Sequence, residues 1–140
     1  MAVAAPCAVT LALPDTSVWA RRRQPDVATA LADAIEADDV VVIEPVLLEL
    51  LRGARDARDL ELQALRYGYL RTVPMSRRIE RRARDVQARL ARRGYHRGAS
   101  AVDLIAAAAA ESVDAELWHC DRHFELIADV TGQPMRRLGT

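Results

Sequence analysis

Apolar and polar residues alternate along this chain with two different periods, and the change of period marks out its elements. Ala8–Leu13 (AVTLAL) is a short apolar run stopped by Pro14 and is expected to be a buried strand. From Asp26 to Ala37 the apolar positions Val27, Ala30, Leu31, Ala34 and Ile35 share one helical face. Val40–Ile43 (VVVI) is continuous in β-branched residues, as a parallel strand covered on both faces would be. Pro45 suits the first turn of a helix that runs to about Gly53. Asp56–Tyr69 is expected to be helical, and Arg71–Val73 a short strand. Ser76–Arg93 is a long helix with Ile79, Ala83, Val86 and Leu90 on one stripe, ended by Gly94. Ser100–Val113 is a further helix and Glu116–His119 a further strand. A last helix near Ile127 and a closing strand over Met135–Leu138 complete the chain.

Strands therefore alternate with helices, which predicts an α/β domain with a mostly parallel sheet. In such folds ligands sit beyond the carboxyl ends of the strands. Asp15 and Asp121 each follow a predicted strand directly, so both are expected on that rim. The length, 140 residues, suits one domain spanning 1–140.

Composition narrows the function classes. Half the residues are hydrophobic and the formal net charge is zero, which excludes nucleic-acid binding by bulk positive charge but not by a local basic face. All twenty basic residues are Arg, a bias that codon usage in a GC-rich genome explains, although Arg is also the better fork for phosphate. Cys7 and Cys120 are too few for a disulfide framework. The apolar start lacks a basic leader and is too short to span a bilayer, so a cytoplasmic location is the expectation.

Four acidic residues stand out by context: Asp15 after its strand, Glu49 inside the apolar run Val46–Leu51, Asp103 in the first turn of an alanine-rich helix, and Asp121 after Trp118 and His119. Each has an ordinary reading. Asp15 suits the cap of a helix starting at Ser17, Glu49 a surface pair with Arg52, Asp103 a capping box with Ser100, and Asp121 a turn. Together they point further. A leucine-flanked Glu is costly unless a positive charge compensates it, and carboxylates crowded on one rim repel one another. A divalent cation relieves both, and hard oxygen donors select Mg²⁺ or Mn²⁺ over zinc.

The segments Asp15-Thr16-Ser17, Pro45-Val46-Leu47-Leu48-Glu49-Leu50, Asp103-Leu104-Ile105-Ala106-Ala107-Ala108 and Asp121-Arg122-His123-Phe124 resemble, in order and spacing, the four motifs of PIN domains. The resemblance runs from about Leu11 to the C-terminus, and the chain's size suggests the VapC-type toxins of bacterial toxin–antitoxin pairs. It implies a three-layer α/β/α PIN-like fold and an endoribonuclease dependent on Mg²⁺ or Mn²⁺, hydrolysing RNA with metal-activated water. Asp15 and Asp103 would be the main metal ligands, Glu49 and Asp121 would complete the pocket through water or a second ion, and Ser17 would orient Asp15. It further implies a homodimer, with Asp26–Ala37 and Asp56–Tyr69 as candidate contact helices, and a VapB-type antitoxin that places an Arg in the acidic pocket. Three positions depart from the pattern: Pro14 before the first acid, His119 where a Thr or Ser is usual, and His123 where many members carry Asp.

Other features are weighed beside these. His119 and His123 flank Cys120 but straddle a strand end, so their spacing has no helical geometry for zinc. The arginines at 77, 78, 81, 82, 84, 89, 92, 93 and 97 are a solvated face opposite the Ile79–Leu90 stripe. Some of them, with Arg97 and Arg122 the candidates nearest the acids, are placed to meet an RNA backbone. Six aromatic residues leave little for base stacking. A phosphotransfer or dehalogenase-type site with Asp15 as nucleophile would need a second acid where Ser17 stands, and a Lys that the chain lacks. A non-catalytic PIN-like binding module is the second alternative, and RNA cleavage with and without EDTA separates the two.

Overall fold

The computed structural model describes residues 10–139. Among the described residues the first element is β1 (Ala12–Pro14), followed by α1 (Thr16–Ala20), α2 (Pro25–Glu36), β2 (Val41–Val42) and α3 (Glu44–Leu51). Next come α4 (Ala57–Tyr67), β3 (Arg71–Thr72), α5 (Arg77–Arg92), α6 (Ala101–Ser112), β4 (Glu116–His119), α7 (His123–Thr131) and β5 (Met135–Arg137). Cys7 and the start of the expected first strand lie outside the described residues.

Every strand pairing is parallel. β4 lies between β1 and β5, with Leu117 opposite Leu13 and Met135, and β2 pairs with β3. The two groups meet at one bridge, Ala12 with Val40. Pro14 is the last residue of β1 and not its stop. It falls in the same alternating phase as Ala12, whose N–H reaches the Asp39 carbonyl on the β2 side. The proline ring removes the next N–H on that side, while Asp15 N still donates to the Trp118 carbonyl at 2.9 Å. This is where β1 and β2 part.

Alternation along β4 sorts its side chains between the layers. Leu117 and His119 share one face, with His119 against Phe124 of α7, and α6 packs beside α5 and α7 there. Trp118 points to the other face, where Ala30 and Ala34 of α2 border it and Arg136 stacks on the indole at 4.9 Å. The buried apolar residues form a single cluster that includes the stripe Ile79, Ala83, Val86 and Leu90. Burying that stripe leaves the α5 arginines outside. Arg82 is the exception, forking onto Glu111 of α6 at 2.7 and 3.2 Å, an opposing charge from another helix that a reading of α5 alone does not supply. No described helix is long and apolar enough to cross a membrane.

Candidate active site at the carboxyl edge of the sheet

The backbone leaves β1 at Pro14 and turns into α1, and Asp15 is the residue at the turn. Its φ and ψ of −80° and 178° are extended, and its side chain caps the helix. Oδ1 accepts from Ser17 Oγ at 2.6 Å and from Val18 N at 3.1 Å. Ser17 Oγ also accepts from Cys120 N at 3.0 Å, which ties the start of α1 to the end of β4. Asp15 is only 5% exposed. Burial pushes its carboxyl up to about 6, with the neighbouring Asp103 charge adding to the rise and the Ser17 and Val18 bonds opposing it.

Asp103 sits in the first turn of α6 and closes a capping box with Ser100. Asp103 N donates to Ser100 Oγ at 3.1 Å, and Asp103 Oδ2 accepts from Ser100 N at 2.9 Å. Burial raises its carboxyl above the ordinary carboxylate range, and the charges of Asp121 and Glu49 raise it further. The capping reading and the site reading of Asp103 thus describe the same residue.

Glu49 corrects one expectation. Flanked by leucines, it was expected to be costly to bury, yet it is exposed, because α3 buries only Val46 fully and leaves Leu48 61% exposed. Its place is set by a hydrogen bond instead: Thr16 Oγ1 donates to Glu49 Oε2 at 2.7 Å. Thr16 is the residue that sequence reasoning passed over. It lies inside the Asp-Thr-Ser segment, but its partner is 33 positions away and only the packing of α1 on α3 brings them together.

Asp121 follows β4 and receives His123 N on Oδ1 at 3.1 Å, with His123 Nδ1 3.2 Å from the same oxygen. His119 is 2% exposed and turned inward, where its Nδ1 accepts from Asp121 N at 3.3 Å. It thereby does for the Asp121 backbone what a Ser or Thr oxygen at this position can do. Burial holds its imidazole below the ordinary histidine value, so it is neutral at pH 7. Arg122 is exposed at the start of α7 and Arg97 is exposed in the loop before α6. The neighbouring Gly98 lies against the His123 ring, so a Cβ there would meet His123 Cδ2 at 3.3 Å.

The four carboxylates share one property. Among the described residues each has one oxygen hydrogen-bonded locally and one with no protein partner: Asp15 Oδ2, Glu49 Oε1, Asp103 Oδ1 and Asp121 Oδ2. Asp15 feels Asp103, and Asp103 feels Asp121 and Glu49, while no arginine figures among the influences on the Asp15 or Asp103 carboxyl. No three acidic, imidazole or thiol side chains among the described residues converge closely enough to ligate one ion together. The unbonded carboxylate oxygens are hard donors, which suit a cation such as Mg²⁺ that takes one or two direct carboxylates and keeps its waters.

Comparison with known proteins places this edge in a family. Residues 12–130 match the model of the PIN domain. Ribonuclease VapC18 of Mycobacterium tuberculosis is 35% identical over 122 residues, covering 86% of this chain and 89% of its own. Ribonuclease VapC51 of the same organism is 34% identical over 120 residues, covering 86% and 87%. Among solved structures, a chain of the VapBC2 complex of Rickettsia felis bound to a promoter DNA fragment superposes with a TM-score of 0.76 at 14% identity, over 93% of this chain and all of that one. DNA-bound VapBC of Salmonella typhimurium gives 0.74 at 18% identity, over 91% and 98%. The structural likenesses speak for the fold, the family model and the ribonuclease relatives for the lineage, and on both counts this chain belongs to the PIN-domain family.

Proposed function

We propose that this chain is a VapC-type endoribonuclease, the toxin of a toxin–antitoxin pair, acting as one PIN domain with Asp15, Glu49, Asp103 and Asp121 as its acidic pocket. The observation that carries the proposal is the set of four carboxylates at the carboxyl edge of a parallel sheet, joined through the charge of Asp103 and each with one oxygen left unbonded. Burial, and then the charges of neighbouring acids, raise the Asp15 and Asp103 carboxyls, and a hard divalent cation offsets both.

Asp15 and Asp103 would hold Mg²⁺ or Mn²⁺ through their unbonded oxygens, with Glu49 and Asp121 reaching its waters. When bound, such an ion supplies an activated water at neutral pH and neutralises charge on the phosphodiester. The protein's own part is positioning. Ser17 holds the Asp15 carboxylate from one side, the Ser100 N–H holds Asp103, and Thr16 holds Glu49, so each acid enters the reaction with its rotamer already chosen. Arg97 and Arg122, exposed on loops beside Asp121, are placed to meet the RNA backbone. The ribonuclease relatives and the VapBC complexes among the structural neighbours support the same reading and a VapB-type partner, while the homodimer rests on the family resemblance alone.

The test is cleavage of RNA by the purified chain in Mg²⁺ or Mn²⁺ against EDTA, with the ends of the products identified. Hydrolysis by water leaves 5′-phosphate ends. Asp15→Asn and Asp103→Asn each keep the side-chain shape, remove a charge, and are expected to lower the rate by at least ~100-fold, the lower range for loss of a major electrostatic contributor. Wild-type rates in both variants would defeat the proposal, and 2′,3′-cyclic phosphate ends would transfer the chemistry to the RNA's own hydroxyl.

A further inference from the structure

A polar cleft of about 480 Å³ lies among the residues that follow α1 and α3 and those of α4. It is lined by Arg22 and Arg23 after α1, Gly53 after α3, and Arg55, Asp59, Gln63 and Arg66 on and before α4. Four guanidinium groups face one carboxylate there. That carboxylate is already taken, since Asp59 Oδ2 accepts from Arg55 N at 2.9 Å and Gln63 Nε2 at 3.0 Å, with Arg55 Nε 3.5 Å away. Among the described residues Arg22, Arg23 and Arg66 form no ion pair.

The ordinary account is that arginines gather at helix C-termini to complement the dipole. It covers Arg22, whose Nη1 donates to the Trp19 carbonyl at 3.0 Å, and it gives Arg66 a favourable place in the last turn of α4. It does not require their guanidinium groups to line one cleft, where they repel one another. In a chain of zero net charge, such a local excess is a field for anions. The forks are suited to phosphate oxygens, and no aromatic side chain lines the cleft for a base to stack on. The cleft also shares its walls with the acidic pocket. Asp15 caps the start of α1, which ends at Ala20 just before Arg22 and Arg23, and α3 carries Glu49 four residues before Gly53.

We infer that this arginine cleft is a backbone subsite for the RNA strand, gripping phosphates away from the scissile one. The inference rests on the ribonuclease reading for its ligand. The subsite reads charge and not sequence, so it contributes affinity common to all single strands.

The experiment measures anisotropy of a labelled 20-nucleotide RNA in EDTA, so that binding is read without cleavage, across a series of KCl concentrations. In Arg23→Gln/Arg66→Gln, two exposed side chains with no hydrogen bonds among the described residues, affinity is expected to fall about tenfold at low salt. The slope of log K against log salt is expected to become shallower by about 1.4, at ~0.7 per lost phosphate contact. Arg78→Gln/Arg81→Gln on the solvated face of α5 removes the same charge elsewhere and controls for net charge. Unchanged affinity and slope in the cleft variant, or an equal loss in the α5 variant, overturns the inference. So does a cleft variant that keeps RNA binding but loses binding of a polyglutamate peptide, which would make the occupant an acidic protein segment. If the cleft variant alone loses RNA affinity while the intact chain cleaves nothing with any divalent ion, the subsite stands and the ribonuclease reading falls.

Discussion

Asp15 gives up most of its hydration on folding and gets back only two hydrogen bonds, both on one oxygen. Its carboxyl rises from 3.8 to about 6, so the folded chain holds the proton more tightly than the unfolded chain. The stability this contributes is complete below pH 4 and is lost as pH rises through 6. At pH 7 without divalent ions the ionised, buried Asp15 then costs up to about 3 kcal/mol relative to a neutral isostere, at ~1.36 kcal/mol per unit. Asp15→Asn retains a capping oxygen and removes the charge. In EDTA at pH 7 it is expected to melt several degrees above the wild type, and the difference should vanish near pH 4. Mg²⁺ should raise the melting temperature of the wild type and leave Asp15→Asn unmoved. A variant no more stable than the wild type at pH 7 in EDTA would mean that Asp15 is not under this strain. Asp15 itself was legible in the sequence, because an acid directly after an apolar strand has few places to go. Thr16 was not, because nothing local tells a threonine which carboxylate it will meet.

The elements show a similar division. Ser100-x-x-Asp103 before an alanine run is a local pattern with a local outcome, and the capping box formed as the spacing predicts. The same holds for β4, whose limits Glu116–His119 match the apolar run, and for α5 with its four-residue stripe. α1 is different. Five residues are too few to show a helical period, so it entered the sequence reading only as something Asp15 could cap. The parting of β1 from β2 at Pro14 depends on which way one missing N–H points, which requires the neighbouring strand to be known. The capping box joins element to site and can be tested there. Ser100→Ala is expected to cost about 1 kcal/mol in denaturant unfolding, the usual loss for such a cap. RNA cleavage should stay near the wild-type rate, because the half of the box that holds the Asp103 carboxylate is the Ser100 backbone N–H, which alanine keeps, and Ser100→Thr should restore the stability. Full cleavage by a Ser100→Ala chain that has lost its stability increment would separate the cap from the chemistry.

For the molecule as a whole the open question is what holds such an enzyme in check. The pocket of Asp15, Glu49, Asp103 and Asp121 is acidic, and among the described residues no arginine forms an ion pair with any of the four, so an inhibitor that brings one gains charge-assisted bonds. Arg suits this better than Lys, since its fork can take two carboxylate oxygens at once and keeps its charge. α3, which carries Glu49, and α4 also leave the large apolar side chains Leu48, Leu60, Leu62 and Leu65 exposed. An antitoxin with an amphipathic helix on apolar surface and an Arg extended into the acids satisfies both features of the surface. Co-expression with the product of the adjacent gene is expected to yield a complex that survives purification and does not cleave RNA. Replacing the partner's inserted Arg by Ala should restore cleavage while the apolar contacts keep the complex together. A tight complex that cleaves at the full rate, or a partner that never binds, would defeat this account of inhibition and leave the acidic pocket's own chemistry untouched, because the four carboxylates are positioned by this chain alone.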